Sequence, residues 1–206
     1  MKLPLLTTET MSIKGKDLLD KIKTDFIGLD TEYKTVDGNV SKRIYLDTTA
    51  SSLMMGVAYR ASNEFLKHYS NTHSLLHFSA KVSTKTYNWI HERILEFVHA
   101  DPSEFTCFFM GSGVTAGMNR MAKTFKRLRP ERDIVLVSIM EHHSNDLPHR
   151  KHGGKVMHIP VDTHESTMGC VDLDLMEKYL QEFEGRVNYV SVTGISNVTG
   201  IINPIN

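Results

Sequence analysis

Three short stretches of this chain combine residue types that could hold an anionic, aromatic cofactor. The first is a glycine turn, GSGVTA at residues 111–116, the second is the histidine pair in MEHHSN at 140–145, and the third is SNVTG at 196–200. Each follows an apolar run that is typical of a buried strand. Because ligands of open α/β sheets bind at the carboxyl ends of the strands, we expect the three stretches to meet at one edge of a sheet.

The glycine turn is open to three interpretations. A strand, a glycine turn and a helix together direct free backbone N–H groups at one point, which is a geometry that binds phosphate, and Ser112 and Thr115 add hydroxyl donors. The same residues satisfy the loose dinucleotide pattern G-x-G-x-x-A, which normally has an acidic residue about 20 positions later. Here the next strand leads to Glu141, later than that pattern expects. A purely structural turn is the third interpretation.

The histidine pair could stack on an aromatic cofactor or move protons near neutral pH. The alternative is an ordinary loop histidine that bonds to the backbone. A metal cluster is a further alternative, since His149 and His152 follow closely. However, His143, His149 and His152 lack the H-E-x-x-H spacing, and no acidic or thiol ligand joins them in a known pattern, so no metal site is predicted.

The third stretch centres on Asn197, which lies between two glycines and is expected to occupy a tight turn. An amide side chain can donate to a phenolate-like oxygen and accept from an amine without titrating. On its own, such a motif usually indicates only a turn.

The elements that would position these stretches alternate along the chain. Apolar runs predict strands at 105–110, 134–139, 156–161 and 187–192, and helical spacing predicts helices at 114–128, 145–151 and 172–183. Continuous apolar strands that alternate with helices predict an α/β fold with a mostly parallel sheet and helices on both faces. Earlier in the chain, the patterns predict a turn at 37–39, a strand at 43–46, and helices at 12–29, 54–69 and 87–98.

Composition sets further bounds on the 206-residue chain. The 24 basic side chains balance 24 acidic ones, so neither a nucleic acid nor an anionic membrane is a predicted partner. The apolar start at residues 1–6 is too short for a signal peptide, and no stretch approaches the ~18 apolar residues of a membrane span. Two cysteines, Cys107 and Cys170, make no disulfide framework. We expect a soluble, cytoplasmic protein.

Five blocks, in order, resemble the class V aminotransferases, especially the cysteine desulfurase and selenocysteine lyase group of fold-type I pyridoxal 5′-phosphate (PLP) enzymes. YLDTTASS at 45–52 is similar to the family's Y-L-D-N-A-A-T-S, and NTHSLLH at 71–77 to N-x-H-x-x-x-H. SGVTAGMN at 112–119 resembles S-G-T-T-E-A-I-N, MEHHSN is identical to the family block, and SNVTG resembles S-N-V-x-G.

The resemblance implies a role for each matching residue around PLP. Gly113, Val114 and Thr115 would hold the phosphate, Thr115 by its hydroxyl and the others by their backbone. His142 would stack on the pyridine ring and is the implied catalytic residue of this part of the site. Asn197 would bond near the phenolic oxygen and the substrate carboxylate.

The resemblance also implies a substrate side and a homodimer. Ala50 and Ser51 would line the side where a small amino-acid substrate binds, and His73 and His77 would approach the site of a partner subunit. Some positions depart from the family. Most notably, residues 74–75 are Ser-Leu where desulfurases often have Arg-Gly, so an arginine that would help to anchor the phosphate is absent.

The resemblance covers only part of the family pattern. Several functional residues of the family fall beyond the position of Asn206. They are the Schiff-base lysine, the aspartate at the pyridinium nitrogen, the carboxylate-binding arginine and any persulfide-forming cysteine. We therefore expect an extension at 1–42 and the N-terminal part of a PLP-binding α/β large domain at 43–206, inactive alone. The implied reaction is PLP-dependent chemistry on an amino acid, first of all desulfurase-type cleavage of a carbon–sulfur bond. The alternatives are a non-catalytic split partner subunit and an NAD-binding oxidoreductase.

Overall fold

A computed structural model describes residues 12–164 and 167–205 of the chain. The chain divides into two compact units, Met1–Phe108 and Phe109–Asn206, called the first and second unit below. Residues 1–11 of the expected extension, which include the apolar start at 1–6, lie outside the described residues. Asn206 lies outside them as well. None of the helices that the structure describes has both the length and the apolar composition that a membrane crossing requires.

The described part of the first unit, residues 12–108, contains three helices and one hairpin. The predicted turn at 37–39 is confirmed, and Gly38 supplies its positive φ of 86°. The predicted strand at 43–46 is wrong: the ladder of β1 and β2 ends at the pair of Glu32 and Lys42, and a single further bond, from the Arg43 N–H to the Thr31 carbonyl across 2.8 Å, follows it. The elements are α1 (Gly15–Asp25), β1 (Glu32–Lys34), β2 (Val40–Lys42), α2 (Gly56–Leu66) and α3 (Phe78–Phe97).

The second unit is an α/β layer structure. Its elements are α4 (Gly113–Leu128), β3 (Ile134–Ser138), α5 (His143–His152), β4 (Lys155–Ile159), α6 (Leu173–Glu182) and β5 (Val187–Ser191). The three strands are parallel and lie in the order β4-β3-β5. The predicted alternation and the parallel sheet are confirmed for these elements.

Neighbouring residues of β3 point to opposite sides of the sheet, and all of them are buried. Both faces of the sheet are therefore covered by helices. Alternate strand residues, Ile134 and Leu136, are buried against α6 in a core with Ile159 and Val171, which Met176, Tyr179 and Phe183 complete. On the other face, the ring of Tyr189 in β5 lies 5.0 Å from that of Phe125 in α4, centroid to centroid. Burial of each large apolar side chain stabilises the unit by about 1.5–3 kcal/mol.

The predicted strand at 105–110 is wrong. No strand of the described residues pairs with this run, and Phe105 and Phe108 are 56% and 74% exposed. An apolar run becomes a strand only where a neighbour supplies the partners of its backbone N–H and C=O groups. The glycine turn therefore joins α4 to an irregular segment in this structure.

Candidate cofactor site

The glycine turn before α4 adopts a backbone that few residues tolerate. Ser112 has φ 59° and ψ 31°, and Gly113 has φ 63°, both in the left-handed region. A non-glycine residue held there costs about 1–3 kcal/mol, and such strain clusters at functional sites. Ser112 is at the N-cap position, yet its side chain makes no capping hydrogen bond. The first N–H groups of α4 are therefore left without a side-chain cap.

Open space lies beside these N–H groups. A Cβ atom added to Gly111, Gly113 or Gly117 would meet no atom within 4 Å. The start of a helix carries a partial positive charge, and its N–H groups bind anions. Thr115, in the first turn, is exposed and adds a hydroxyl. This donor set and the space around it fit a phosphate group.

His142 is fixed by the helix that it caps. Its Nδ1 accepts a hydrogen bond from the backbone N–H of Ser144 across 3.1 Å and lies 2.8 Å from the Ser144 hydroxyl oxygen. In this contact Nδ1 is the acceptor, which leaves Nε2 as the other polar atom of the ring. His142 therefore bonds to the backbone, as an ordinary loop histidine would, while the remainder of its ring stays exposed.

Thr115 and His142 line one cavity. Its volume is about 330 Å³, at the lower end of the range for small-molecule sites. Asn119, His143, Ser144, Leu147, Pro148 and Lys151 complete the lining. The structure thus brings together the residue predicted to hold a phosphate and the residue predicted to stack on a ring.

Asn197 is not among the residues that line this cavity. It occupies the turn that follows β5, which the Gly200 N–H closes by bonding to the Ser196 carbonyl across 2.9 Å. The Ser196 hydroxyl supports the same turn by accepting from the Val198 N–H. The predicted turn is confirmed, while the contact between Asn197 and a cofactor stays a prediction.

The remaining predicted site residues belong to the first unit. The N–H groups of Ala50 and Ser51 bond to the Asp47 carbonyl across 3.2 and 3.1 Å, in an exposed turn. His73 is exposed in the loop before α3. His77 caps α3, since its side chain accepts from the N–H of Ala80. These contacts explain local structure, and the predicted roles of the four residues toward a substrate and a partner subunit stay predictions.

The structure contains a buried polar network, centred on Asn145 and His149, that was not predicted from the sequence. His149 is 1% exposed and lies 2.9 Å from the Tyr189 hydroxyl through Nδ1 and 3.0 Å from Asn145 Oδ1 through Nε2. The Asn145 amide donates to Glu141 Oε2 at 2.5 Å and to the Ser191 hydroxyl at 2.9 Å, which leaves its oxygen to accept from His149. His149 is therefore neutral, with its proton on Nε2, and Tyr189 donates to Nδ1.

Glu141 joins the ends of two strands. Its Oε1 accepts from the Ser138 hydroxyl at 2.7 Å, at the end of β3, and from the backbone N–H of Thr193 just after β5. The next residue is His142, so this carboxylate fixes the point where α5 begins. Glu141 is also the acidic residue that a dinucleotide site would direct at a ribose, and protein donors already occupy both of its oxygens.

Burial sets the protonation of this network. It lowers the pKa of His149, although the carboxylates of Glu141 and Asp146 act in the opposite direction. It also raises the pKa of Tyr189 to about 12. Asn145 and His149 are four residues apart on one face of α5, and Glu141 is four residues before Asn145, just ahead of the helix; this spacing is the signal that could have revealed the network.

A second buried acid secures α5 to β4. Asp146 is 7% exposed and lies 2.9 Å from His158 Nε2 and 2.7 Å from the Arg150 guanidinium. Burial would raise the pKa of Asp146, but hydrogen bonds from Arg150 and His158 outweigh it and lower that pKa. Among the residues that the structure describes, no group of three or more His, Cys, Asp or Glu side chains could hold a metal ion.

The second unit is an α/β structure in which Thr115 and His142, the residues predicted to hold a phosphate and to stack on a ring, line one cavity. The family model for class V aminotransferases matches residues 44–206, and the chain belongs to that family. Class V aminotransferases depend on PLP.

Curated relatives agree with this family, and a solved structure agrees with its fold. A probable cysteine desulfurase of Halalkalibacterium halodurans is 29% identical over 191 residues, which covers 90% of this chain and 44% of the relative. A cysteine desulfurase of Pectobacterium atrosepticum is 27% identical, with 91% and 44% covered. The solved structure of a cysteine desulfurase from Thermococcus onnurineus superposes with a TM-score of 0.71 at 23% identity, covering 95% of this chain and 44% of that one. The chain thus spans less than half the length of these relatives.

Proposed function

We propose that this chain supplies the phosphate-binding and ring-stacking part of a PLP site, in an enzyme that cleaves the carbon–sulfur bond of a cysteine-type amino acid. The observation that carries the proposal is that Thr115 and His142 line one cavity beside the uncapped start of α4. The names of the relatives, which are cysteine desulfurases, support the choice of reaction.

In this proposal, each predicted residue makes its own contact with PLP. The backbone N–H groups of Gly113 and Val114 and the hydroxyl of Thr115 bind the phosphate, His142 covers one face of the pyridine ring, and the Asn197 amide bonds the phenolic oxygen. When bound, PLP supplies an electron sink for a carbanion at the substrate.

The polar network has a positioning role in this proposal. Glu141 and Asn145 hold the start of α5 against the ends of β3 and β5. Because His142 caps the same helix, its ring position depends on these bonds. The proposal also includes a homodimer in the cytoplasm, in which Ala50, Ser51, His73 and His77 serve the substrate side and the partner's site.

Calorimetric titration of the chain with PLP, and with pyridoxal as the analogue without phosphate, tests the proposal. Replacing Thr115 with Val should weaken PLP binding about tenfold, the effect of one hydrogen bond to a charged group, and leave pyridoxal unaffected. Replacing His142 with Ala should weaken both ligands. The matched controls are Thr24→Val in α1 and His164→Ala, whose side chain is 82% exposed. Equal affinity for PLP and pyridoxal would rule out the phosphate site.

The reaction is tested separately with a chimera. This chain replaces the matching N-terminal part of the Halalkalibacterium halodurans relative, and sulfide release from cysteine is measured. We expect sulfide release that depends on His142. A chimera that binds PLP but transfers an amino group without releasing sulfide would overturn the assignment of carbon–sulfur cleavage.

A further inference from the structure

A second cavity of the second unit follows the side of α4 and is basic. Its volume is about 810 Å³, and its lining includes Arg120, Lys123, Arg127 and Lys151, which together define the basic groove. No Asp or Glu of the described chain lines it. The ion pairs found among the described residues do not involve any of these four cations.

The basic groove extends well beyond the candidate cofactor site. Thr115 lies at one end of its lining and Arg127 at the other. Twelve residues of α-helix separate them, which corresponds to about 18 Å along the axis. A phosphate bound at the start of α4 therefore leaves the cations further along the helix without a ligand.

Helix stability does not account for this arrangement. Like charges three and four residues apart, as in Arg120, Lys123 and Arg127, destabilise a helix. Arg127 is in the last turn, where a cation favours the helix dipole, but Arg120 and Lys123 are in the middle. Burial, and then the charges of Lys123 and Lys151, lower the pKa of His152 in the same lining. The positive charges of Lys123 in α4 and Lys151 in α5 are therefore both felt inside the basic groove.

We infer that the basic groove binds an extended acidic segment of a partner protein. Arg120, Lys123 and Arg127 follow one another at about 4.5 and 6 Å along the helix axis. Side chains on one face of an extended peptide repeat at about 6.6 Å, which is close to the step from Lys123 to Arg127 and about 2 Å longer than the step from Arg120 to Lys123, a difference that the long side chains can span. Asn119 and Thr124 also line the groove, and their polar side chains can form hydrogen bonds with the peptide backbone.

A protein segment fits better than a nucleic acid. No Phe, Tyr or Trp of the described chain lines the groove, whereas single-stranded nucleic acids are held by stacking on such rings. The chain has 24 basic and 24 acidic side chains, so it lacks the overall positive charge that favours a phosphate backbone. The inference does not depend on PLP binding or on the proposed reaction.

Fluorescence anisotropy with a labelled peptide of about 12 residues, in which Glu alternates with Ser, tests the inference on the full chain. We expect saturable binding at low salt that weakens about tenfold when the salt rises from about 0.05 M to about 0.3 M. The double variant Arg120→Glu, Lys123→Glu should weaken binding at least about tenfold, and the milder Arg120→Gln, Lys123→Gln about threefold. Lys178→Glu on α6, outside the groove, should leave affinity within about twofold.

Three results would overturn the inference. The first is equal binding of a peptide with Gln in place of Glu. The second is unchanged affinity in both Arg120, Lys123 variants while circular dichroism shows them folded. The third is tighter binding of oligothymidylate or inorganic polyphosphate than of the acidic peptide, which would assign the groove to phosphates.

Discussion

The hydroxyl of Tyr189 donates a hydrogen bond to Nδ1 of the buried His149 across 2.9 Å, and this contact joins β5 to α5. The two side chains come from elements that are 40 residues apart in sequence. The other nitrogen of His149 continues the network to Asn145, four residues before it in α5. The network therefore holds α5, whose start carries His142, against β5.

Removing the Tyr189 hydroxyl should destabilise the protein. In Tyr189→Phe, the buried Nδ1 of His149 loses its donor, and an unsatisfied buried polar atom costs about 1–3 kcal/mol. We expect the free energy of unfolding in urea to fall by that amount. Tyr33→Phe is the matched control, because Tyr33 is 52% exposed and should change stability by less than about 0.5 kcal/mol. Equal effects of the two substitutions would contradict a structural role for the network.

Stability should decrease as the pH falls below the ordinary histidine value. Burial lowers the pKa of His149 from 6.5 in the folded state, so the unfolded state binds more protons below pH 6.5. The contribution of His149 is complete above that pH and is lost on acidification toward its folded pKa. His152, whose pKa is also lowered, adds to the same trend. A second loss follows below pH 3.8, where the lowered pKa of Asp146 acts in the same direction.

The variant His149→Gln separates these contributions. It should be less stable than the original chain at pH 7, yet show a smaller decrease between pH 7 and pH 5, measured as free energies of unfolding in urea. The control His164→Gln, with an 82% exposed side chain, should keep the original dependence. An unchanged slope in His149→Gln would show that other groups cause the acid sensitivity.

Two glycines of α4 should respond in opposite directions to alanine. Gly113 has φ 63°, so Gly113→Ala forces an L-residue into the left-handed region and should destabilise by about 1–2 kcal/mol. Gly117 lies inside the helix with no atom within 4 Å of the added Cβ, so Gly117→Ala should stabilise by about 0.5–1 kcal/mol. Thermal unfolding of the pair measures both. A stabilising Gly113→Ala would mean that the turn is not held in this conformation.

The cap of α6 provides a test of helix-start chemistry. The Asp172 carboxylate accepts from the N–H of Leu175 at 2.8 Å, so Asp172→Ala should destabilise by about 1 kcal/mol. Asp174, in the first turn, contributes only its interaction with the helix dipole, and Asp174→Ala should destabilise by a few tenths of a kcal/mol. The reverse order of the two effects, in urea unfolding, would assign the cap to Asp174.

The helices and strands of the second unit were predictable because each carries its own periodic signal. β3, β4 and β5 are short apolar runs, and α4 and α6 repeat apolar residues at helical spacing. Thr115 and His142 were predicted as site residues from motifs that resemble the family, and both line one cavity, while their contacts with a cofactor stay a prediction. Local composition specified the elements, and the strand-end rule holds for His142, which follows β3, but not for the glycine turn, which follows an irregular segment.

The failures share one physical cause, which is that pairing depends on a neighbour. The run at 105–110 is as apolar as β3, yet no described strand supplies its ladder, and the run at 43–46 follows a hairpin whose partner strand has already ended. Nothing in the local sequence distinguished His149 from the neighbouring histidines, and only the packing of α5 on β5 showed it to be buried beside Tyr189.

By itself, the sequence determined the family, the alternation of strands and helices, and the residue types at the start of α4 and α5, since all of these are written in local order and spacing. Only the tertiary structure decided which strands pair, that Thr115 and His142 share a cavity, and that basic side chains of α4 and α5 line a common groove. These outcomes depend on contacts between residues that are far apart in the chain, where burial and hydrogen-bond partners are set by the neighbours that folding supplies.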